Sequence, residues 1–203
     1  RPCTSFAVTS AKPSEGKSLT AANIAISYAM LGKKVLLIDA DMRKPTQRRL
    51  WRVEKPTGLC DFLAKISKLE LDKVKDLPLW IVCTGTIPPN PSELLSSERM
   101  KHFVEESAKV YDYIIIDTPP INTVADAQIV STYVDGVVLV VKSGDTTEDE
   151  LNEAIDAVRR AGGNLCGTVL NDLNMKSVKY AYKYKYGGKY GYKYSYSESY
   201  EAR

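Results

Sequence analysis

The sequence predicts an α/β fold: a parallel central β-sheet flanked by helices. Two observations carry that expectation. Short, continuously apolar runs rich in branched residues recur along the chain, and segments of helical periodicity alternate with them. The 203 residues, 44% of them hydrophobic, suffice for one such domain with a sizeable core plus an appendage. In a sheet of this type, ligands bind at the carboxyl ends of the strands.

The elements follow in order. Phe6 to Thr9 is a short β-prone run that leads into a glycine-containing loop, and Leu19 to Leu31 then has helical spacing until Gly32 stops it. Lys34 to Asp39 forms a second buried-type strand that ends in acids. Further strand-like runs stand at Trp80 to Cys83, Tyr113 to Ile116, Val137 to Val141 and Leu165 to Leu170. The clearest helix is Thr147 to Ala161. Leu151, Ala154, Ile155 and Val158 fall on one of its faces, Thr147 and Glu150 suit a capping box, and Gly162-Gly163 ends it.

Ser10-Ala11-Lys12-Pro13-Ser14-Glu15-Gly16-Lys17-Ser18 reads as a nucleotide phosphate loop. Such a loop aims backbone N–H groups and a helix N-terminus at phosphates, where the helix dipole favours negative charge. Ser14, Glu15, Gly16, Lys17, Ser18 and Leu19 are the expected nucleotide-binding residues. Lys17 would neutralise the β- and γ-phosphates, and the Ser18 hydroxyl would ligate Mg²⁺. Ala11 replaces the first glycine of the usual pattern. Two acidic strand ends accompany the loop. Asp39 and Asp41 lie two residues apart, so in extended geometry their carboxylates point the same way, and Asp117 closes the run Ile114 to Ile116.

Charge and cysteine usage narrow the function classes. Residues 1–175 hold 21 Lys and Arg against 23 Asp and Glu, whereas residues 176–203 hold seven against two. The body is near neutral and the last segment alone is basic. Cys3, Cys60, Cys83 and Cys166 show no CxxC spacing and no secretory leader precedes them, so they read as reduced thiols of a cytosolic protein filling the core. The sole histidine, His102, sits in a charged helical stretch, which argues against His-based triads and His-rich metal sites. No apolar run approaches the roughly 20 residues that cross a membrane. Membrane contact is therefore expected through a partner.

The last segment carries nine of the thirteen tyrosines: Tyr180, Tyr182, Tyr184, Tyr186, Tyr190, Tyr192, Tyr194, Tyr196 and Tyr200. A phosphate loop in the same chain as a dense row of phenols suggests an autokinase. The organisation expected is a catalytic body over 1–175 and a flexible acceptor tail over 176–203, which as a coil would span roughly 30 Å. Each phosphate adds about −1.5 to −2 charge units, so roughly three or four would reverse the tail's excess of five positive charges. Alternating Lys and Tyr is also the composition of a single-strand nucleic-acid platform, but nothing else in the chain supports that, and no nucleic acid is expected.

These motifs together resemble the bacterial tyrosine autokinases of capsule and exopolysaccharide synthesis, a branch of the P-loop NTPases with the deviant Walker A loop of MinD and ParA. The likeness runs from about Ser5 to the end. It rests on Ala11 to Ser18, on Leu36 to Arg43, on Ile114 to Pro120, on Pro88 to Leu95 and on the tyrosine cluster. Ser14 stands where the family usually has glycine. The resemblance implies an ATP- and Mg²⁺-dependent protein-tyrosine kinase acting on its own tail. Asp41 and Asp117, with Ser18, would hold Mg²⁺, while Asp39 would orient or deprotonate the acceptor phenol. Asn171 would read adenine, and Lys17, Asp39, Asp41 and Asp117 would form the catalytic set.

The implied partners are a transmembrane activator or polysaccharide co-polymerase, an opposing protein tyrosine phosphatase, and other copies of the chain in a ring. In the family that ring forms through a helix before the first strand, which this sequence does not include. The implied location is the cytoplasm, at the inner face of the cell membrane. Arg43, Lys44, Arg48, Arg49, Arg52 and Lys55 form a basic run that would guide phosphate or an acidic surface, or else make a solvated helix face. Two rivals share the loop. A MinD/ParA-type switch ATPase is suggested by Lys12, which stands at the position of those proteins' dimer-crossing lysine, and a nucleotide-dependent interaction module would need no transfer at all.

Overall fold

The computed structural model describes residues 3–173. The tyrosine cluster and the boundary expected near residue 175 lie outside the described residues. Seven strands make one sheet: β1 (Ser5–Ser10), β2 (Val35–Asp39), β3 (Asp72–Lys73), β4 (Leu79–Val82), β5 (Tyr113–Asp117), β6 (Gly136–Lys142) and β7 (Leu165–Asn171). Their order across the sheet is β3-β4-β2-β5-β1-β6-β7. Every pairing is parallel except that of the two-residue strand β3 with β4. The helices are α1 (Lys17–Met30), α2 (Gln47–Trp51), α3 (Leu59–Leu63), α4 (Pro91–Ser96), α5 (Glu98–Ser107), α6 (Asp126–Ser131) and α7 (Glu148–Arg160).

The central strands are apolar at successive positions because both faces are covered. Alternate residues of β2 and β5 feed two separate cores. Val35, Leu37 and Ile115 pack with Ala21, Ala22, Ala25 and Ala29 of α1, whose small side chains let the helix lie close to the sheet. Leu36, Ile38, Ile114 and Ile116 face the opposite way, against Leu59 and Leu63 of α3, Leu95 of α4, Met100 and Val104 of α5, Val130 of α6 and Val158 of α7. Each expected strand is present, and the expected capping box starts α7, with Thr147 accepting from the Glu150 backbone and Glu150 accepting from the Thr147 backbone. The cysteines divide. Cys60 and Cys83 are core residues as expected, but Cys3 is half-buried and Cys166 is exposed. The physical reason is topological: Cys166 lies on β7, the last strand of the sheet, most of whose residues face solvent.

The strand order brings β2, β5 and β1 side by side, so their carboxyl ends share one edge. Asp39 and Asp117 are paired across β2 and β5, and Val8 of β1 pairs with Asp117. At the opposite edge, Asp135 ties the entry of β1 to the entry of β6. Its Oδ2 accepts from the backbone N–H and the hydroxyl of both Thr4 and Ser5, at 2.9 to 3.1 Å. Burial alone would raise this carboxyl, but the backbone and hydroxyl donors outweigh it and hold its pKa below the ordinary value. The sign follows. A depressed folded-state pKa stabilises the fold fully above about pH 4 and loses that contribution as pH falls through the lower folded value. Asp135→Ala should cost about 2 kcal/mol near neutrality. Urea denaturation of the two proteins should converge as the pH is taken down toward 2, and a gap that stays constant across that range would contradict this account.

Candidate active site

The phosphate loop links β1 to α1 and is held from inside. Glu15 is buried, and its carboxylate accepts from the Lys12 backbone at 2.9 Å and from the Thr146 hydroxyl. Ser10 donates its hydroxyl to the Lys12 carbonyl. Ala11 is buried and lies outside the left-handed region, so a methyl group is tolerated where the usual pattern has glycine. Gly16 is different. Its φ of +89° and the Asn171 amide, which a Cβ there would meet at 2.2 Å, both require glycine. Ser14 has φ +68°, a conformation that costs a non-glycine residue about 1 kcal/mol or more. The resemblance leads to an expectation of glycine here, and the serine holds a left-handed conformation that glycine adopts without steric cost. No side chain caps α1, so the backbone N–H groups of its first turn are left for an anion.

Behind the loop lies a buried ionic cluster. The Lys17 ammonium donates to Asp41 at 2.7 Å, to Asp117 at 3.4 Å and to the Ser18 hydroxyl at 3.2 Å. Asp39, Asp41 and Asp117 are all buried, and Asp39 and Asp117 are fully so. Burial would lower the Lys17 pKa, yet Asp117 and Asp41 raise it. Asp117 is raised by burial despite the opposing charge of Lys17 and hydrogen bonds from Gln47 and Ser18. Asp39 is pushed up to about 7, by burial first and then by Asp117. The ammonium's charge is favoured while two carboxylate charges are disfavoured. One cation cannot neutralise three carboxylates, and the fully ionised cluster has two negative charges in excess. A divalent cation would offset that excess, and the uncapped N–H groups beside it would take the phosphate chain that accompanies such a cation.

The three aspartates hold distinct places. Asp41 lines a cavity of about 410 Å³ together with Ser14, Gly16, Lys17, Ser18, Leu19, Arg43, Pro119 and Pro120. Neither Asp117, which lies behind Lys17 and Gln47, nor Asp39 lines it. Asp39 is turned toward the segment after β2. Its oxygens accept from the backbone N–H groups of Thr46 (3.2 Å), Gln47 (2.9 Å) and Asp41 (3.3 Å), which folds the segment after β2 around it. Leu19 is exposed at the cavity mouth. Asn171 ends β7 and donates its amide to the Glu15 carbonyl at 3.0 Å, so it sits against the loop. Among the described residues no group of three or more His, Cys, Asp or Glu could hold a metal by itself. A cation that takes one or two carboxylates and otherwise phosphate oxygens and water requires no such group.

Sequence reasoning missed two polar contacts. Gln47 is fully buried and donates to Asp117 Oδ2 and to the Ser18 carbonyl, each at 2.9 Å, while its own oxygen accepts from Trp51. Asp126 is also fully buried, and it takes Arg43 through two nitrogens (2.8 and 3.2 Å) and Ser92 at 2.6 Å. Gln47 and Trp51 are four apart in a short helix, which is the one local signal that could have flagged the first. Lys12 is spoken for within its own chain, donating to the Asp145 carbonyl at 2.9 Å and to Glu150 at 3.1 Å.

A family model described as an AAA domain matches residues 4–164. Tyrosine-protein kinase YwqD of Bacillus subtilis (strain 168) is 45% identical over 181 residues, which cover 88% of this chain and 76% of that protein. The putative tyrosine-protein kinase CapB of Staphylococcus aureus is 39% identical over 182 residues, covering 88% and 79%. The chain belongs to the bacterial tyrosine-protein kinases. Among solved structures, the kinase domain of Escherichia coli tyrosine kinase ETK superposes with a TM-score of 0.82 at 32% identity, over 93% of this chain and 72% of that one. The fold is shared more widely: the MinD cell division protein of Aquifex aeolicus, in complex with MinC, gives 0.73 at 26% identity over 87% and 72%.

The cluster makes a stability prediction for the protein without nucleotide. Lys17→Met leaves Asp41 and Asp117 buried without their cation and should cost about 3 kcal/mol in denaturant unfolding. Adding Asp41→Asn should recover part of that loss. A single Lys17→Met variant as stable as the parent would show that the cluster is not electrostatically coupled.

Proposed function

We propose that this kinase transfers the γ-phosphoryl group of ATP, with Mg²⁺, to tyrosines of its own C-terminal cluster, on the same or a neighbouring copy. The observation that carries the reading is the charge-deficient cluster of Lys17, Asp39, Asp41 and Asp117 beside the uncapped start of α1. Mg²⁺, when bound, would offset charge on the phosphates and orient them. Ser18, Asp41 and Asp117 would hold it. Lys17 would leave Asp41 for the β- and γ-phosphates, and the loop N–H groups would cradle the same chain. Asn171 would exchange the Glu15 carbonyl for the adenine edge.

In the transfer, the acceptor's phenolic oxygen bonds to the γ-phosphorus as the bond from that phosphorus to the β,γ-bridging oxygen breaks, and ADP departs. The phenol proton goes to a carboxylate. A free tyrosine, with a pKa near ~10, is a weak nucleophile at neutral pH. We assign the proton to Asp39, whose pKa of about 7 suits a base. Asp39 now accepts from Thr46 and Gln47, so this role requires the segment after β2 to yield when acceptor binds.

The wider reading is that phosphorylation of the cluster regulates capsule or exopolysaccharide synthesis and export by loosening contacts between copies. It places the body at 1–175 and the acceptor tail at 176–203. A membrane-spanning activator would hold the kinase at the inner face of the membrane, and a tyrosine phosphatase would reverse the modification. No helix among the described residues is long and apolar enough to cross a membrane. A MinD-type switch shares the fold, but Lys12, which that reading needs free for a partner subunit, is bound to Glu150 of its own chain. The Glu150 hydrogen bond raises the Lys12 pKa against the lowering effect of desolvation.

Incubation with γ-labelled ATP, with and without the cytosolic segment of a membrane partner, separates these readings. Label on tyrosine is expected, and Lys17→Met should abolish it. Free phosphate without labelled protein would support the switch instead. Asp39→Asn should bind Mg-nucleotide with near-parental affinity yet lose transfer by about a hundredfold or more, whereas Asp41→Asn and Asp117→Asn should weaken Mg-dependent binding itself. An Asp39→Asn variant that transfers normally would move the base elsewhere.

A further inference from the structure

The cavity beside the cluster has an unequal charge lining. Lys17 pairs with Asp41 and Arg43 with Asp126, which leaves Lys44 and Arg49 as the other charged groups around it. Both are exposed, and among the described residues no carboxylate lies in ion-pair distance of either. The basic character continues outward. Arg49 also lines a neighbouring cavity of about 610 Å³, together with Arg48 and Arg52 and with a single carboxylate, Glu54. Arg48 spends its guanidinium on the carbonyls of Val53 and Glu54, which leaves its charge unopposed. A peptide whose phenol approached the mouth of the first cavity would have its flanking residues beside these cations.

The tyrosine cluster is not uniform toward such a row. Tyr180, Tyr182, Tyr184, Tyr186, Tyr190, Tyr192 and Tyr194 each have a lysine as an immediate neighbour. Tyr196 lies between two serines. Tyr200 alone adjoins an acid: Glu201 follows it, Glu198 stands two residues before it, and these are the only acids among residues 176–203. Exposed opposite charges within a Debye length favour binding by roughly two- to fivefold each, and like charges oppose it comparably.

Resting on the autokinase reading above, we propose that the basic row formed by Lys44, Arg48, Arg49 and Arg52 selects Tyr200 as the first acceptor, and that phosphorylation then advances toward the N-terminal end of the cluster. The Tyr200 oxygen gains the γ-phosphoryl group as ADP leaves and its proton passes to the protein's carboxylate. The new phosphate brings about −1.5 to −2 charge units. It supplies an anionic flank for Tyr196, four residues back, and Tyr196 does the same for Tyr194 and Tyr192. Lysine-flanked tyrosines thereby become acceptors only after their C-terminal neighbours have reacted.

Mass spectrometry of the full chain after brief incubation with Mg-ATP and the activating segment, stopped below one phosphate per chain, tests the order. Tyr200 should carry most of the first phosphate, with Tyr196 next. In Glu198→Gln/Glu201→Gln chains that preference should flatten, and Lys44→Gln/Arg49→Gln should flatten it in the same way. As a measure independent of turnover, a peptide spanning residues 190–203 should bind the kinase with Mg-ADP about fivefold or more tightly than its Glu198→Gln/Glu201→Gln counterpart, and added salt should erase the difference. A first phosphate spread evenly, or placed among Tyr180 to Tyr186, would overturn the proposal while leaving the autokinase reading intact. Absence of tyrosine label under every condition would overturn both.

Discussion

The structure turns on a charge imbalance at the carboxyl edge of three adjacent strands. Asp39, Asp41 and Asp117 are buried around a single ammonium, Lys17, that reaches back from the first turn of α1. Burying an unpaired charge is costly, and a protein concerned only with stability would fill this space with apolar side chains. Asp39 and Asp117 are cross-strand neighbours in a parallel register that the two hydrophobic cores lock from either side.

That register also links the loops to one another. Asp39 gathers the N–H groups of Thr46 and Gln47, Gln47 reaches Asp117 and the Ser18 carbonyl, and Asp126 holds Arg43 near the cavity. The Asp39 contacts fold the segment after β2 back on its own strand, and the Gln47 and Arg43 contacts join that segment to the first turn of α1, the end of β5 and α6. A ligand that drew Lys17 away from Asp41 would act where α1, β5 and the segment after β2 meet.

Much of this was legible in the sequence, and the divide between what was and was not is physical. The strands announced themselves through continuous apolar runs, because burial on both faces removes the need for alternation. The phosphate loop and its acids were legible because their chemistry depends on local order: Gly16 for a left-handed turn, Lys17 and Ser18 one after the other, and an acid at a strand end. Gln47 with Asp117 and Arg43 with Asp126 were not, since those partners stand 70 and 83 residues apart and only the strand order brings them together. The two-residue strand β3 escaped notice because Asp72-Lys73 has no apolar pattern to read. Cys166 misled for the converse reason: a residue type usually found in cores lies here on an edge strand.

On the proposed reading, the buried cluster is a site whose carboxylates take a divalent cation and whose ammonium and uncapped N–H groups take the phosphate chain. A crystal structure with Mg-ADP measures this directly. The account predicts that the Lys17 ammonium leaves Asp41 for the β-phosphate and that the metal takes the Ser18 hydroxyl, with Asp41 and Asp117 bound to it directly or through water. Nucleotide bound elsewhere, with Lys17 still held 2.7 Å from Asp41, would contradict it.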